Sequence, residues 1–100
     1  MINTARAAMP DGRVMFAKAS HSIEDFSIRC LAGWEGSEPE RFSIPIGGRP
    51  PDEQLAPILE AANKLGLTDW EREDFKEVVI VAAGFPGQLR RELLEYAHGK

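Results

Sequence analysis

The chain is poor in the residues from which chemistry is usually assembled. One cysteine, Cys30, and two histidines, His21 and His98, are spread over 100 residues. A single cysteine forms no internal disulfide, so no disulfide framework supports the fold. It also fits a reducing compartment, and a cytoplasmic protein is expected. The histidines and the cysteine lie far apart, without Cys-x-x-Cys or His-x-x-x-His spacing, so a zinc site has nothing to rest on. The acidic stretch lacks the Asp-x-Asp-x-Asp-Gly order of a calcium loop. No apolar run approaches the roughly 20 residues of a membrane span. Residues 1–12 hold one arginine and no apolar core, unlike a secretory signal. Gly47-Gly48 is not followed by Lys-Ser/Thr, and Gly84 and Gly87 lack the other positions of a phosphate-binding fingerprint. Neither a cofactor nor a membrane partner is expected.

What is present is an ordinary globular composition, 43% hydrophobic and 28% charged. One hundred residues form one domain, with enough chain to bury a core. The net charge is −4, and it is unevenly spread. Residues 1–34 carry four basic and three acidic groups, net +1; residues 35–77 carry five and eleven, net −6; residues 78–100 carry three and two, net +1.

The first half reads as strands and the second as helices. Residues 13–19 form a first strand and 20–25 a polar connection. Phe26, Ile28, Cys30, Ala32 and Trp34 then alternate with Ser27, Arg29, Leu31 and Gly33, the period of a strand with one buried face. Gly36-Ser37-Glu38-Pro39-Glu40 is a turn by composition. Phe42, Ile44 and Ile46 share a face of a third strand, which should lie at an edge, or bulge, because Pro45 has no N–H for a ladder. Three antiparallel strands in a meander are the simplest arrangement.

Asp52 is a fair N-cap for a helix with Leu55, Ile58, Leu59, Ala62 and Leu65 on one face, although Pro57 must start or kink it. Gly66 is a natural stop. Thr68-Asp69-Trp70-Glu71 has the pattern of a capping box that opens a second helix. Val78-Val79-Ile80-Val81 fits a buried strand as well as a helix. A helix to about Ala83 is preferred, because nothing between Asp69 and Val81 breaks it. A last helix carries Leu89, Leu93, Tyr96 and Ala97 on one side and Arg90 and Arg91 outside. The expected fold is therefore α+β: a three-stranded antiparallel sheet packed against two or three C-terminal helices.

Three constellations invite a functional reading. Ala62, Leu65, Gly66 and Leu67 have the spacing of a helix-turn-helix. The helix that follows, however, would present Asp69, Glu71, Glu73, Asp74 and Glu77 to a phosphate backbone against only Arg72 and Lys76. A plain helical corner explains the same spacing, and the charge argues against direct DNA binding. Cys30 or the serines Ser20 and Ser22 can be drawn as a dyad with His21. Cys30, though, falls on the apolar phase of its strand, where it acts as a small hydrophobe. No catalytic residue is assigned.

The third constellation is the acidic surface: Glu35, Glu38 and Glu40 near one turn, and Asp69, Glu73, Asp74 and Glu77 with Trp70 on one helix. As plain structure it is a solvated face with favourable charge at a helix start. As function it steers the chain onto a cationic protein, with tryptophan as an anchor. The leading expectation is thus a non-enzymatic interaction module, an inhibitor or adaptor covering a basic surface of a larger partner. Phage-encoded inhibitors of bacterial nucleic-acid-handling defences are a class that works this way. The alternatives are a homo-oligomer, with a homodimer paired through the third strand, and, below it, a helix-turn-helix regulator.

Overall fold

The computed structural model describes residues 2–85 and 87–99, excluding the side chains of Ile2 and Leu89. Four strands come first: β1 (Ile2–Ala8), β2 (Val14–Ser22), β3 (Ser27–Trp34) and β4 (Glu40–Pro45). Helices α1 (Pro51–Leu65), α2 (Asp69–Ala83) and α3 (Gly87–His98) follow. The strands form one antiparallel sheet in the order β1-β2-β3-β4. The α+β class and the meander agree with the sequence pattern, but the sheet has four strands rather than three.

The additional strand is β1. It pairs with β2 from Ile2↔Ser20 to Ala8↔Val14. Asn3, Ala5 and Ala7 are half-buried, and Thr4, Arg6 and Ala8 are exposed, which is strand alternation written in small residues. Alanine is depleted in strands because it offers little to pack on a pleated surface, so the segment carries almost no strand signal.

The β2–β3 hairpin departs from expectation in a second way. Strand β2 continues through residues 20–22, and Ser22 pairs with Ser27. Residues 23–26 form the turn, where Phe26 adopts φ 49° and is 67% exposed. The buried phase of β3 therefore begins at Ile28, not at Phe26, because the register places Phe26 inside the loop.

The core lies between one face of the sheet and the helices. Met15, Ala17, Ala19, Ile28, Cys30, Ala32 and Ile44 face inward and are buried. Leu55, Ile58, Ala61 and Ala62 of α1 meet them, with Phe75, Val78, Val79 and Ile80 of α2 and Leu93 and Ala97 of α3. Helix α2 lies over β2 and β1, and α1 over β4. The Phe42 and Phe75 rings meet at 6.4 Å, tilted by 48°.

Local signals set the helix ends. The N-cap of α1 is Pro50 with no side-chain bond, rather than Asp52, and Pro51 takes the first turn, where a missing N–H costs nothing. Asp52 and Glu53 sit instead in the first turn, favoured by the helix dipole. The helix runs through Pro57. Gly66 ends it at φ 68°, with its N–H on the Asn63 carbonyl and that of Leu67 on the Ala62 carbonyl. The capping box of α2 forms: the Glu71 amide donates to Thr68 Oγ1, and the Thr68 amide donates to Glu71 Oε1 at 2.9 Å. The β-branched run 78–81 is helical. Val78, Val79 and Ile80 are buried and Val81 is 40% exposed, because an amphipathic helix with both ends fixed outweighs the strand preference of four side chains. In α3, Leu93 and Ala97 are buried and Tyr96 half-buried, while Arg90 and Arg91 are exposed. The Leu89 side chain lies outside the described residues.

Two helix stops provide a test of local packing. Gly66 and Gly84 have nearly the same left-handed backbone, φ 68° and 71°. A Cβ at Gly66 meets nothing within 4 Å, whereas one at Gly84 meets the Asn3 side-chain amide at 3.0 Å. Gly66→Ala is expected to cost about 1 kcal/mol, the left-handed penalty alone. Gly84→Ala is expected to cost more, because a β1 side chain must also move. Urea titration of the two variants checks the order.

Candidate functional site

Helix α2 carries two different acidic surfaces. At 100° per residue, Trp70, Asp74, Glu77 and Val81 fall on one stripe, at i, i+4, i+7 and i+11. This stripe faces outward beside β1. Trp70 is 85% exposed. Met9, Pro10, Arg13, Trp70 and Asp74 bound a groove of about 550 Å³. Ala5, Ala7, Asp74, Glu77 and Val81 bound an adjoining one of about 200 Å³. Asp74 belongs to both, so one trough follows α2 along the free edge of the sheet. As the first strand in the order, β1 has backbone groups on that side with no neighbouring strand.

The charges of this trough are unequal in freedom. The side chains of Asp74 and Glu77 in the trough, and of Asp69 one residue before Trp70, make no ion pair or hydrogen bond among the described residues. Arg6, which also borders the smaller depression, is held by Glu35 at 2.9 Å. Arg13 is held by Asp11 and Glu71, and its guanidinium lies 4.1 Å from the centre of the Trp34 ring. These bonds, the one to Glu71 first, raise the Arg13 pKa. The Thr68 amide, then Arg13, hold the Glu71 carboxyl below its usual range. That network fastens the β1–β2 turn to the start of α2 and shapes one wall of the trough.

Glu73 belongs elsewhere. It turns toward α3, where its carboxylate meets Lys76 Nζ at 2.7 Å and His98 Nδ1 at 2.9 Å. Lys76 is 2% exposed and also donates to the Ala97 carbonyl at 2.9 Å. A cation at the C-terminal turn of α3 is favoured by the helix dipole, so Lys76 and Glu73 clasp α3 to α2. A lysine read along the sequence is a surface residue, and only the tertiary packing gives it this role.

The remaining acids predicted for an interface are scattered. Glu35 is paired with Arg6. Glu38 is exposed at the β3–β4 turn, and Glu40 borders a shallow depression with Arg41, Glu60 and Lys64. The continuous acidic patch expected from the sequence thus reduces to Asp69, Trp70, Asp74 and Glu77. Ala5, Ala7, Met9 and Val81 join them, and those four were not legible as site residues while β1 was unseen. The i+11 spacing of Val81 from Trp70 was the available signal.

The groups considered for catalysis are not assembled. The register sets Ala19, not His21, opposite Cys30. His21 Nε2 lies 2.9 Å from the Ala83 carbonyl. Ser20 and Ser22 alternate with it and so point to the other face. Burial pushes the Cys30 thiol up to about 12. Among the described residues no group of three or more His, Cys, Asp or Glu is placed to hold a metal ion, and no helix is long and apolar enough to cross a membrane. Neither a family model, nor a curated protein, nor a solved structure matches the chain.

Two measurements check these assignments. Lys76, then His98, hold Glu73 below its ordinary value of 4.5. A depressed carboxylate contributes stability that is complete above the unfolded value and is lost as pH falls through the folded one. The melting temperature should therefore fall on the acid side of 4.5. Glu73→Gln should lower it at neutral pH and flatten that fall, with an effect below about 1 kcal/mol for this partly exposed pair. For Cys30, thiol reagents at mildly alkaline pH should modify the native chain far more slowly than the denatured one, since the thiolate is the reactive form.

Proposed function

We propose that this protein is a small non-enzymatic interaction module, an inhibitor or adaptor that receives a cationic segment of a larger protein in the trough between α2 and β1. One observation carries the reading: Asp74 and Glu77, which border the trough, have no cation among the described residues and share their stripe with an 85% exposed tryptophan at an open sheet edge. A lysine- or arginine-bearing segment in extended form meets each part of it. Its backbone can add to β1 and its alternate side chains can reach the carboxylates, a known mode of peptide capture. Trp70 supplies the apolar contact typical of an interface anchor. Inhibition of nucleic-acid-handling machinery is one use of such a surface, since those proteins expose basic faces.

The test uses a short fluorescent peptide alternating lysine and valine, with an alternating glutamate–valine peptide as control. The lysine peptide should shift the amide resonances of β1 and α2, and its binding should weaken at high salt. Asp74→Lys combined with Glu77→Lys should reduce affinity about tenfold or more, and Trp70→Ala by a similar factor. All three positions are outward-facing, so the melting temperature should change little. Equal binding by the charge-reversed variant, or equal binding of the glutamate peptide, overturns the proposal.

A further inference from the structure

The face of the sheet turned away from the helices has the opposite charge. Strand alternation sends Arg6, Phe16, Lys18, Arg29, Leu31 and Arg41 outward. No outward strand position among the described residues holds a carboxylate. Lys18 and Arg41 flank Leu31 in a single row across β2, β3 and β4. Arg29 lies two residues from Leu31 on β3, about 7 Å along the strand. These side chains border a depression of about 290 Å³. In the next row Arg6 stands opposite Phe16. Phe16 and Leu31 are half-buried and lie outside the core cluster. Arg29 is met only at its edge, by Asp25 at 3.5 Å, and Arg6 by Glu35. Lys18 and Arg41 have no carboxylate partner among the described residues.

We propose that this open face binds single-stranded nucleic acid, with phosphates against Lys18, Arg29 and Arg41 and a base laid over Phe16 and Leu31. The mixture of side chains favours that occupant over other polyanions. An acidic peptide would satisfy the cations but set its backbone amides against Phe16 and Leu31, where the face offers no backbone donor or acceptor. An unpaired base brings a flat apolar surface, while its phosphate remains at the cationic rim. A duplex hides its bases and gives Phe16 and Leu31 nothing to cover. The net charge of −4 and the acids of α2 oppose approach from a distance, so binding is weak and steep in salt. This surface is separate from the α2–β1 trough and stands or falls without it.

The experiment is fluorescence polarisation of labelled oligothymidine, with unlabelled oligothymidine, an unlabelled duplex of equal length and polyglutamate as competitors. Binding is expected at low salt. It should fall between about 50 and 200 mM salt by about 7-fold if only Lys18 and Arg41 neutralise phosphates, and by roughly 20-fold if Lys18, Arg29 and Arg41 all do. Lys18→Glu with Arg41→Glu should weaken it at least tenfold. Both positions are exposed. If that variant melts early, Lys18→Gln with Arg41→Gln replaces it, with a loss of severalfold expected. Failure of oligothymidine to bind, undiminished binding by the folded variant, or a duplex or polyglutamate that competes as well as the single strand overturns the proposal.

Discussion

Ala17, Ala19 and Ala32 on the inner face of the sheet are buried, and Ala5 and Ala7 pack beside them. Side chains that end at Cβ let the larger residues of α2 come down close to the pleated surface. Phe75, Val78, Val79 and Ile80 pack into the same buried cluster as the alanines. The same constraint places α2 over β2 and β1. From there its outward stripe runs beside the sheet edge instead of standing above the middle of the sheet. The trough and the exposure of Trp70 follow from that placement, and so does the turn of Glu73 toward α3.

The charge of the chain has to be read in three dimensions. Alternation along the strands sends Arg6, Lys18, Arg29 and Arg41 to one face, although they are spread across the first 41 residues of the sequence. The acidic segment meanwhile divides. Glu35, Glu71 and Glu73 are drawn into contacts with Arg6, Arg13, Lys76 and His98, while Asp69, Asp74 and Glu77 of α2 stay without an ion pair among the described residues, as do Glu38, Glu40 and Asp52 elsewhere on the surface. A net charge of −4 is thus an average over surfaces of opposite sign. The total opposes the approach of nucleic acid from a distance, but it does not describe the contact surface that the open sheet offers.

How much of this was legible depended on whether the deciding force was local. Thr68 with Glu71, and Gly66, fix helix ends through bonds made within a few residues, and both were readable. The helical state of 78–81 was harder, since β-branched side chains favour strands and only the surrounding stops and the amphipathic phase decide it. Strand β1 was invisible because pairing with β2, not its own composition, makes it a strand. Alternation alone sets Phe26 on the strand, because it cannot tell where a hairpin loop ends and the ladder begins. Lys76 and the trough required tertiary packing: each depends on residues far apart in the chain.

The acids of α2 differ in how well the helix itself explains them. Asp69 and Glu71 lie in the first turn, where negative charge is favoured, and Glu71 completes the capping box. Glu73 is compensated by Lys76 and His98. Asp74 and Glu77 have neither justification. They lie beyond the first turn, three residues apart, where like charges repel by about 0.2–0.5 kcal/mol. A basic residue at either position would suit the helix better. The two carboxylates that local stability does not explain are the two that border the trough with Val81, and a cation arriving from another molecule would relieve the repulsion that the fold leaves in place.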